Sequence, residues 1–267
     1  MRRLTIITAI VHFCLLAGAG CSSSSVPDRY QPPIAWLADP PPQPRLKDLL
    51  CPPDAMLRQI TPIEFSCLSD GKIHGPSWVL YSDGTVMHLT YFAMGIPDGI
   101  YATWYDDGSA KIFGTWKRGL PDGKEYVWYK GTPSRLWEYT EYEDGKQVGE
   151  WLLFHPNGIA KRKGTYVYGF PHGEFMQWSE EGKLLGTYRM EYGSGDVREW
   201  HENGALASSQ YWMDGKPKYK LAHQWYNEDG TLQKYRIMWG DGTYWETRYN
   251  ADGTETETCI DGPCPEQ

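Results

Sequence analysis

The chain has 267 residues, with 34 acidic against 26 basic side chains and a net charge of −8. That balance excludes nucleic acid and anionic lipid headgroups as its main partners, because like charges repel. Its 13 Trp and 19 Tyr stand in a sequence of low mean hydropathy, so the rings must be employed without a thick apolar core.

The chain opens on Met1-Arg2-Arg3, an almost wholly apolar run from Leu4 to Leu16, and then Ala17-Gly18-Ala19-Gly20 ahead of Cys21. A positive start, a short apolar run and a small-residue exit make a secretory leader over residues 1–20. The run is shorter than the roughly 20 residues that a membrane-spanning helix needs. The junction resembles a bacterial lipobox, which implies diacylation of Cys21, a palmitate-type lipid anchor, and an outer-membrane address in preference to the inner, since Ser22 rather than Asp follows. The other reading is an ordinary leader cut nearby, with Cys21 a free thiol. Loss of the leader leaves 24 basic against 34 acidic side chains, a net charge near −10.

Residues 21–44 combine Ser22 to Ser25 with Pro40-Pro41-Pro42-Gln43-Pro44. Such Ser and Pro density suits an extended tether. Residues 45–70 read as an N-terminal cap with a short helix over Arg45 to Leu50. Four cysteines remain outside the leader and the lipid site: Cys51, Cys67, Cys259 and Cys264. An even number in an exported chain implies disulfides, and three connectivities are open. The local pairing, Cys51–Cys67 with Cys259–Cys264, carries the least loop-closure entropy. These two bridges would cap the ends of whatever lies between, with residues 257–267 as the C-terminal cap and tail.

Residues 71–256 repeat themselves. Seven turns end on Gly84, Gly108, Gly158, Gly182, Gly204, Gly230 and Gly253, each preceded by Asp, Asn or Glu, and Thr132 stands at the eighth anchor. The steps between anchors are 24, 24, 26, 24, 22, 26 and 23 residues. Four positions before the anchor the column reads Leu80, Trp104, Trp128, Phe154, Trp178, Trp200, Tyr226 and Tyr249. Nine before, it reads Gly75, Gly99, Gly123, Gly149, Gly173 and Gly195. Links such as Gly95-Ile96-Pro97-Asp98-Gly99 join the units. Asp-Gly and Asn-Gly between β-prone runs predict hairpins closed by type I′ turns, and each Gly-x-Pro-x-Gly link predicts a second turn. The expected fold is all-β: an elongated single-layer antiparallel meander of tandem hairpins about 24 residues long, roughly 75 Å from end to end at ~4.8 Å per strand. The aromatic column should stack along one face, with the glycine nine before the anchor leaving room for its rings.

Units such as Asp98-Gly99-Ile100-Tyr101-Ala102-Thr103-Trp104-Tyr105-Asp106-Asp107-Gly108 and Gly149-Glu150-Trp151-Leu152-Leu153-Phe154-His155-Pro156-Asn157-Gly158 resemble MORN repeats. They are most similar to the bacterial variant found in antitoxin-like proteins. The resemblance spans residues 71–256 and implies a twisted β-meander used for protein or membrane contacts, with no catalytic residue and no cofactor.

The recurring turn acids Asp83, Asp107, Asp229 and Asp252 are explained by turn chemistry, and each unit has too few carboxylates for a calcium shell. His155 and His201, three before their anchors, read as surface strand positions rather than metal ligands. Gly-x-Ser-x-Gly, Walker and His-Glu-x-x-His motifs do not occur. Tyr81, Tyr105, Tyr129 and Trp151, of opposite parity to the column, are the candidate binding face. The expected function is that of a non-catalytic envelope lipoprotein, anchored by its lipid, serving as a protein-interaction scaffold. A cell-wall or glycan binder and an antitoxin-like protein are the alternatives.

Overall fold

The computed structural model describes residues 39–131, 133–214, 216–217, 222–238 and 244–260. The leader, Cys21, the residues up to Ala38 and Cys264 lie outside them, and with them the lipidation site and the Cys259–Cys264 bridge. Nearly everything described is strand, each paired antiparallel with its sequence neighbour. The expected meander of tandem hairpins forms, without closing into a barrel. Strands from Met56–Thr61 to Leu184–Met190 build a 14-stranded sheet, and those from Gly195–Trp200 to Glu255–Ile260 a 7-stranded one. The helix expected over Arg45 to Leu50 shrinks to a 3-10 turn, Leu46–Asp48, which ends because Leu49 is already extended.

The turn types are exchanged relative to expectation. In the Asp-Gly turns only the glycine has positive φ, 85° at Gly84 and 80° at Gly108. Gly84 N donates to Tyr81 O at 3.0 Å and Tyr81 N to Thr85 O at 2.8 Å, a type I turn closed by a left-handed bulge. The preceding acid stays at negative φ so that it can brace the turn: Asp83 Oδ1 accepts the Thr85 N–H at 2.9 Å and its hydroxyl at 2.7 Å. Asp107, Asp229 and Asp252 do the same with Ser109, Thr231 and Thr254. The type I′ turns lie in the links, where both central residues have positive φ: Met94 and Gly95 at 50° and 90°, Tyr168 and Gly169 at 50° and 88°. The link glycines also fasten unit to unit. Gly119 N donates to Pro97 O, Gly145 N to Pro121 O and Gly193 N to Pro171 O, each at 2.8 Å.

One face of the larger sheet is its core. Trp104, Trp128, Phe154 and Trp178 are each at most 2% exposed. Across the bulge each faces a smaller side chain: Ala110, Leu136, Ala160 and Leu184 respectively. Rings therefore alternate with small residues rather than stacking on one another. A second row, Trp78, Ala102, Tyr126 and Leu152, runs parallel to the first and is equally buried. The glycine nine before the anchor serves another purpose than making room for the column. It sits opposite a bulky residue of the next strand, as Gly99 opposite Trp116, Gly123 opposite Tyr142 and Gly149 opposite Tyr166.

The segment ahead of the array covers part of this core. Trp104 Nε1 donates to Pro41 O at 3.1 Å, Gln43 Nε2 to Val86 O at 2.8 Å, and Leu49 is buried in the cluster. The last six residues of the expected tether thus lie on the sheet, because Pro carbonyls without competing N–H groups suit a ring-lined surface. Cys51 and Cys67 are disulfide-bonded with Cα atoms 5.4 Å apart. Cys67 is fully buried, while every residue of the first strand, Met56–Thr61, stays exposed. The bridge ties Cys51 to the second strand, Glu64–Ser69, and leaves the edge of the first strand open.

The two sheets meet where the repeat step shortens to 22 residues. The link Tyr192-Gly193-Ser194-Gly195 lacks the two residues that Phe170-Pro171 supplies one unit earlier. A bridge between Glu191 and Ser194 is the backbone pairing described there. Side chains span the junction: Gln177 Nε2 donates to Trp200 O at 2.7 Å, and Arg162 pairs with Glu199 at 2.9 Å.

Candidate functional site

The opposite face of the larger sheet carries side chains seven positions before each anchor and those aligned with them on neighbouring strands. Here rings touch rings across successive strands. Tyr101 lies 5.5 Å from Trp116, Trp151 6.4 Å from Tyr166, Tyr166 6.1 Å from Phe175, Phe175 5.1 Å from Tyr188, and Tyr188 6.4 Å from Trp200, measured between centroids. Tilted, edge-on and offset geometries are those that aromatic quadrupoles favour. Phe175 is buried and its partners are half-buried, so the ladder presents ring edges and faces to solvent.

Glycine makes the ladder possible. Gly164 and Gly186 lie beneath the rings of Phe175 and Trp200, and a Cβ there would come within 2.0 and 2.1 Å of ring atoms. Gly114 lies opposite Tyr101 in the same way, and a Cβ on it would reach that ring at 2.7 Å. A strand glycine covered by a cross-strand ring loses little of the stability that a missing side chain otherwise costs.

Two carboxylates are set among these rings. Glu125 accepts the Tyr101 hydroxyl in a short hydrogen bond, and Glu138 Oε1 accepts the Trp151 indole N–H at 2.6 Å. Among the described residues neither has a cationic partner. Burial raises the Glu125 carboxyl above its ordinary value; the Tyr101 bond opposes this and Glu138 adds to it. Burial, then Glu125 and Glu138, push the Tyr142 hydroxyl up to about 12. The arrangement is an aromatic surface with uncompensated negative charge, suited to an ammonium or guanidinium that can lie over a ring while meeting a carboxylate. No three His, Cys, Asp or Glu side chains gather as a metal site among the described residues.

Of the four residues expected on a binding face, Trp151 belongs to this ladder. Tyr81, Tyr105 and Tyr129 do not. Their hydroxyls donate to the next unit's backbone: Tyr81 to Trp104 O at 2.7 Å, Tyr105 to Trp128 O at 3.0 Å and Tyr129 to Phe154 O at 2.9 Å. They are spent on holding repeats together. His155 and His201 take the same role, donating from Nε2 to Trp178 O at 3.0 Å and Tyr226 O at 2.8 Å. His155 is 3% exposed, so its surface assignment is corrected: an imidazole replaces a phenol at a structural position. Sequence reasoning missed Tyr101, Glu125, Glu138, Tyr166 and Phe175. The signal that could have found them is the regular place of Tyr101, Glu125, Trp151 and Phe175 seven before each anchor. No known protein family matches the chain, and neither does any curated protein.

Proposed function

We propose that this chain is a non-catalytic, MORN-like scaffold of a bacterial cell envelope, lipid-anchored through Cys21, that holds a protein partner on its aromatic ladder. The observation that carries the reading is the run of mostly half-buried rings from Tyr101 to Trp200, with Glu125 and Glu138 set among them, neither with a cationic partner among the described residues. A partner offering Lys or Arg side chains matches both features. The alkyl stem covers the ring and the charge meets the carboxylate. Trp, Tyr and charged groups in one patch are the side chains that dominate binding energy at protein interfaces.

The test is recovery of tagged full-length chain, and of its Trp151→Ala and Glu125→Gln variants, from native envelope extract. A protein that co-purifies with the parent chain and is lost from both variants supports the scaffold. Equal recovery with all three moves the contact off the ladder. Retention with wall material until glycan digestion supports the wall-binding alternative instead. Fractionation of Cys21→Ala tests the anchor separately, which predicts release from the membrane.

A further inference from the structure

Beyond the ladder, the smaller sheet holds a hollow of about 310 Å³ that belongs to neither the core nor the ladder. It opens where the rings give out: seven before the anchor Gly204 stands Val197, in place of Trp151 or Phe175 two and one units earlier. The space left is walled by Trp212 and Trp225, and lined between them by Glu199, Ser208, Gln210 and His223. The walls are fixed. The His223 ring stacks on Trp225 at 3.6 Å and Lys234 Nζ lies 4.0 Å from the Trp225 centroid, while Trp212 Nε1 donates to Gln210 Oε1 at 3.3 Å.

The polar groups define what can enter. Gln210 receives the Trp212 N–H on its oxygen, which leaves its amide nitrogen to donate. Ser208 is only 8% exposed and can donate or accept. His201, also on the lining, donates from Nε2 to Tyr226 O and so keeps Nδ1 as an acceptor. Glu199 is already paired with Arg162 at 2.9 Å, so it offers an acceptor oxygen rather than an unpaired charge. Burial first, then Arg236 and Lys234, bring His223 down to about 4, which keeps this ring neutral near pH 7. The lining therefore alternates donors and acceptors between two indoles, and the cation nearest to it, Lys234, lies over the Trp225 ring outside the lining. An anion would meet Glu199, and a cation would find that carboxylate occupied.

We propose that this hollow binds a neutral saccharide, with a pyranose ring held against Trp212 and bounded by the edge of Trp225, and its hydroxyls bonded by Ser208, Gln210, His201 and Glu199. Its volume is at the small end of ligand sites, roughly 300–1,000 Å³, which suits the end of a glycan rather than a long stretch of one.

The experiment is isothermal titration calorimetry of the full chain with chitotetraose and cellotetraose as neutral probes and tetragalacturonate as an anionic control. The expected result is one-to-one binding of a neutral probe. Gln210→Ala should weaken it by about tenfold, the worth of one hydrogen bond in a half-buried site. Ala207→Leu, which fills the hollow from its own lining, should abolish it. Circular dichroism reports whether each variant folds, and Ala207→Leu carries the test if Gln210→Ala does not. Absence of binding by both neutral probes, tighter binding of the anionic control, or affinity unchanged in a folded Ala207→Leu each overturns the proposal. Trp151→Ala must leave sugar binding intact, which separates this site from the protein-binding ladder.

Discussion

The two sheets use one repeat and hold it together differently. In the larger sheet, the position six before the anchor is Trp78, Ala102, Tyr126, Leu152 and Met176, the first four buried and the last half-buried. In the smaller it becomes Arg198, Gln224 and Thr247, and the ring column four before the anchor is only half-buried at Trp200, Tyr226 and Tyr249. The unit-to-unit bond changes too. The phenols of Tyr81, Tyr105 and Tyr129 reach the next repeat, and in the smaller sheet His201 still does, whereas Asn227 and Asn250 turn back to Thr231 and Thr254 within their own turns, at 2.9 Å each. The opposite face, which carries the ring ladder in the larger sheet, here buries a charge. Glu246, fully buried, is held by Arg236 and Arg248 at 2.5 and 3.1 Å. Burial alone would raise its carboxyl, but these guanidinium bonds carry it below the ordinary value. A hairpin frame thus tolerates burial of rings on one face or of an ion cluster on the other, and the face that is buried decides where stability lies.

If so, the largest effect belongs to the apolar core. Phe154→Ala should cost about 4 kcal/mol by removing a ring and leaving a cavity. Urea unfolding followed by fluorescence should show the larger sheet melting earlier; a loss no greater than that of Tyr226→Ala would erase the contrast between the sheets. Next, Cys51→Ala with Cys67→Ala should cost about 3 kcal/mol, as expected for a closed loop of this length. Hydrogen exchange should locate the loss in the strands Met56–Thr61 and Glu64–Ser69 and not beyond Gly195. Glu246→Gln should cost about 2 kcal/mol, since it strips a buried charge from two guanidiniums that solvent still partly reaches. Exchange should accelerate in Leu232–Met238 and Tyr244–Tyr249 while the larger sheet is unaffected. Tyr105→Phe should cost about 1 kcal/mol, one hydrogen bond, and only in the larger sheet.

The smallest effect should be common to both sheets, and acid reveals it. Asp83 is held below its ordinary value first by the Thr85 N–H and then by its hydroxyl; Asp107, Asp229 and Asp252 first by the hydroxyls of Ser109, Thr231 and Thr254 and then by their N–H groups. Because the folded values are depressed, the stabilisation is present above the unfolded value near 3.9 and lost as pH falls through the lower folded ones. Melting temperature should therefore drop below about pH 4, and Asp83→Asn with Asp107→Asn should flatten that drop.

The meander and its hairpins were legible in the spacing of Gly84, Gly108 and their successors, because positive φ and alternating polarity are local demands. The turn types were not. Asp-Gly can close a type I′ turn or a type I turn with a bulge, and the bulged form appears where the side chain before the glycine turns onto the N–H two residues on, as Asp83 and Asn157 do. Nor was the fate of Tyr81, Tyr105 and Tyr129 legible. Parity placed them on the exposed face correctly, but their partners are carbonyls some 23 to 25 residues away. The ladder was half legible: Trp151 stood out as a large ring, whereas Glu125 is meaningful only once Tyr101 lies one repeat away across the sheet. The 22-residue step was visible in the sequence, yet only the pairing showed that two missing link residues interrupt the backbone ladder.

The bonds at the margins have a mechanical consequence. Between Ile73 and Pro171, neighbouring units are fastened across their middle by strand pairing, on one flank by side chains such as the Tyr105 phenol, and on the other by link glycines. Twisting one unit against the next must stretch a flank bond, so this stretch resists torsion as a stiff ribbon. Past Glu228 no turn-side bond joins unit to unit among the described residues, since Asn227 and Asn250 bond within their own turns. A load applied at the C-terminal end should be absorbed there as rotation before it reaches the aromatic ladder.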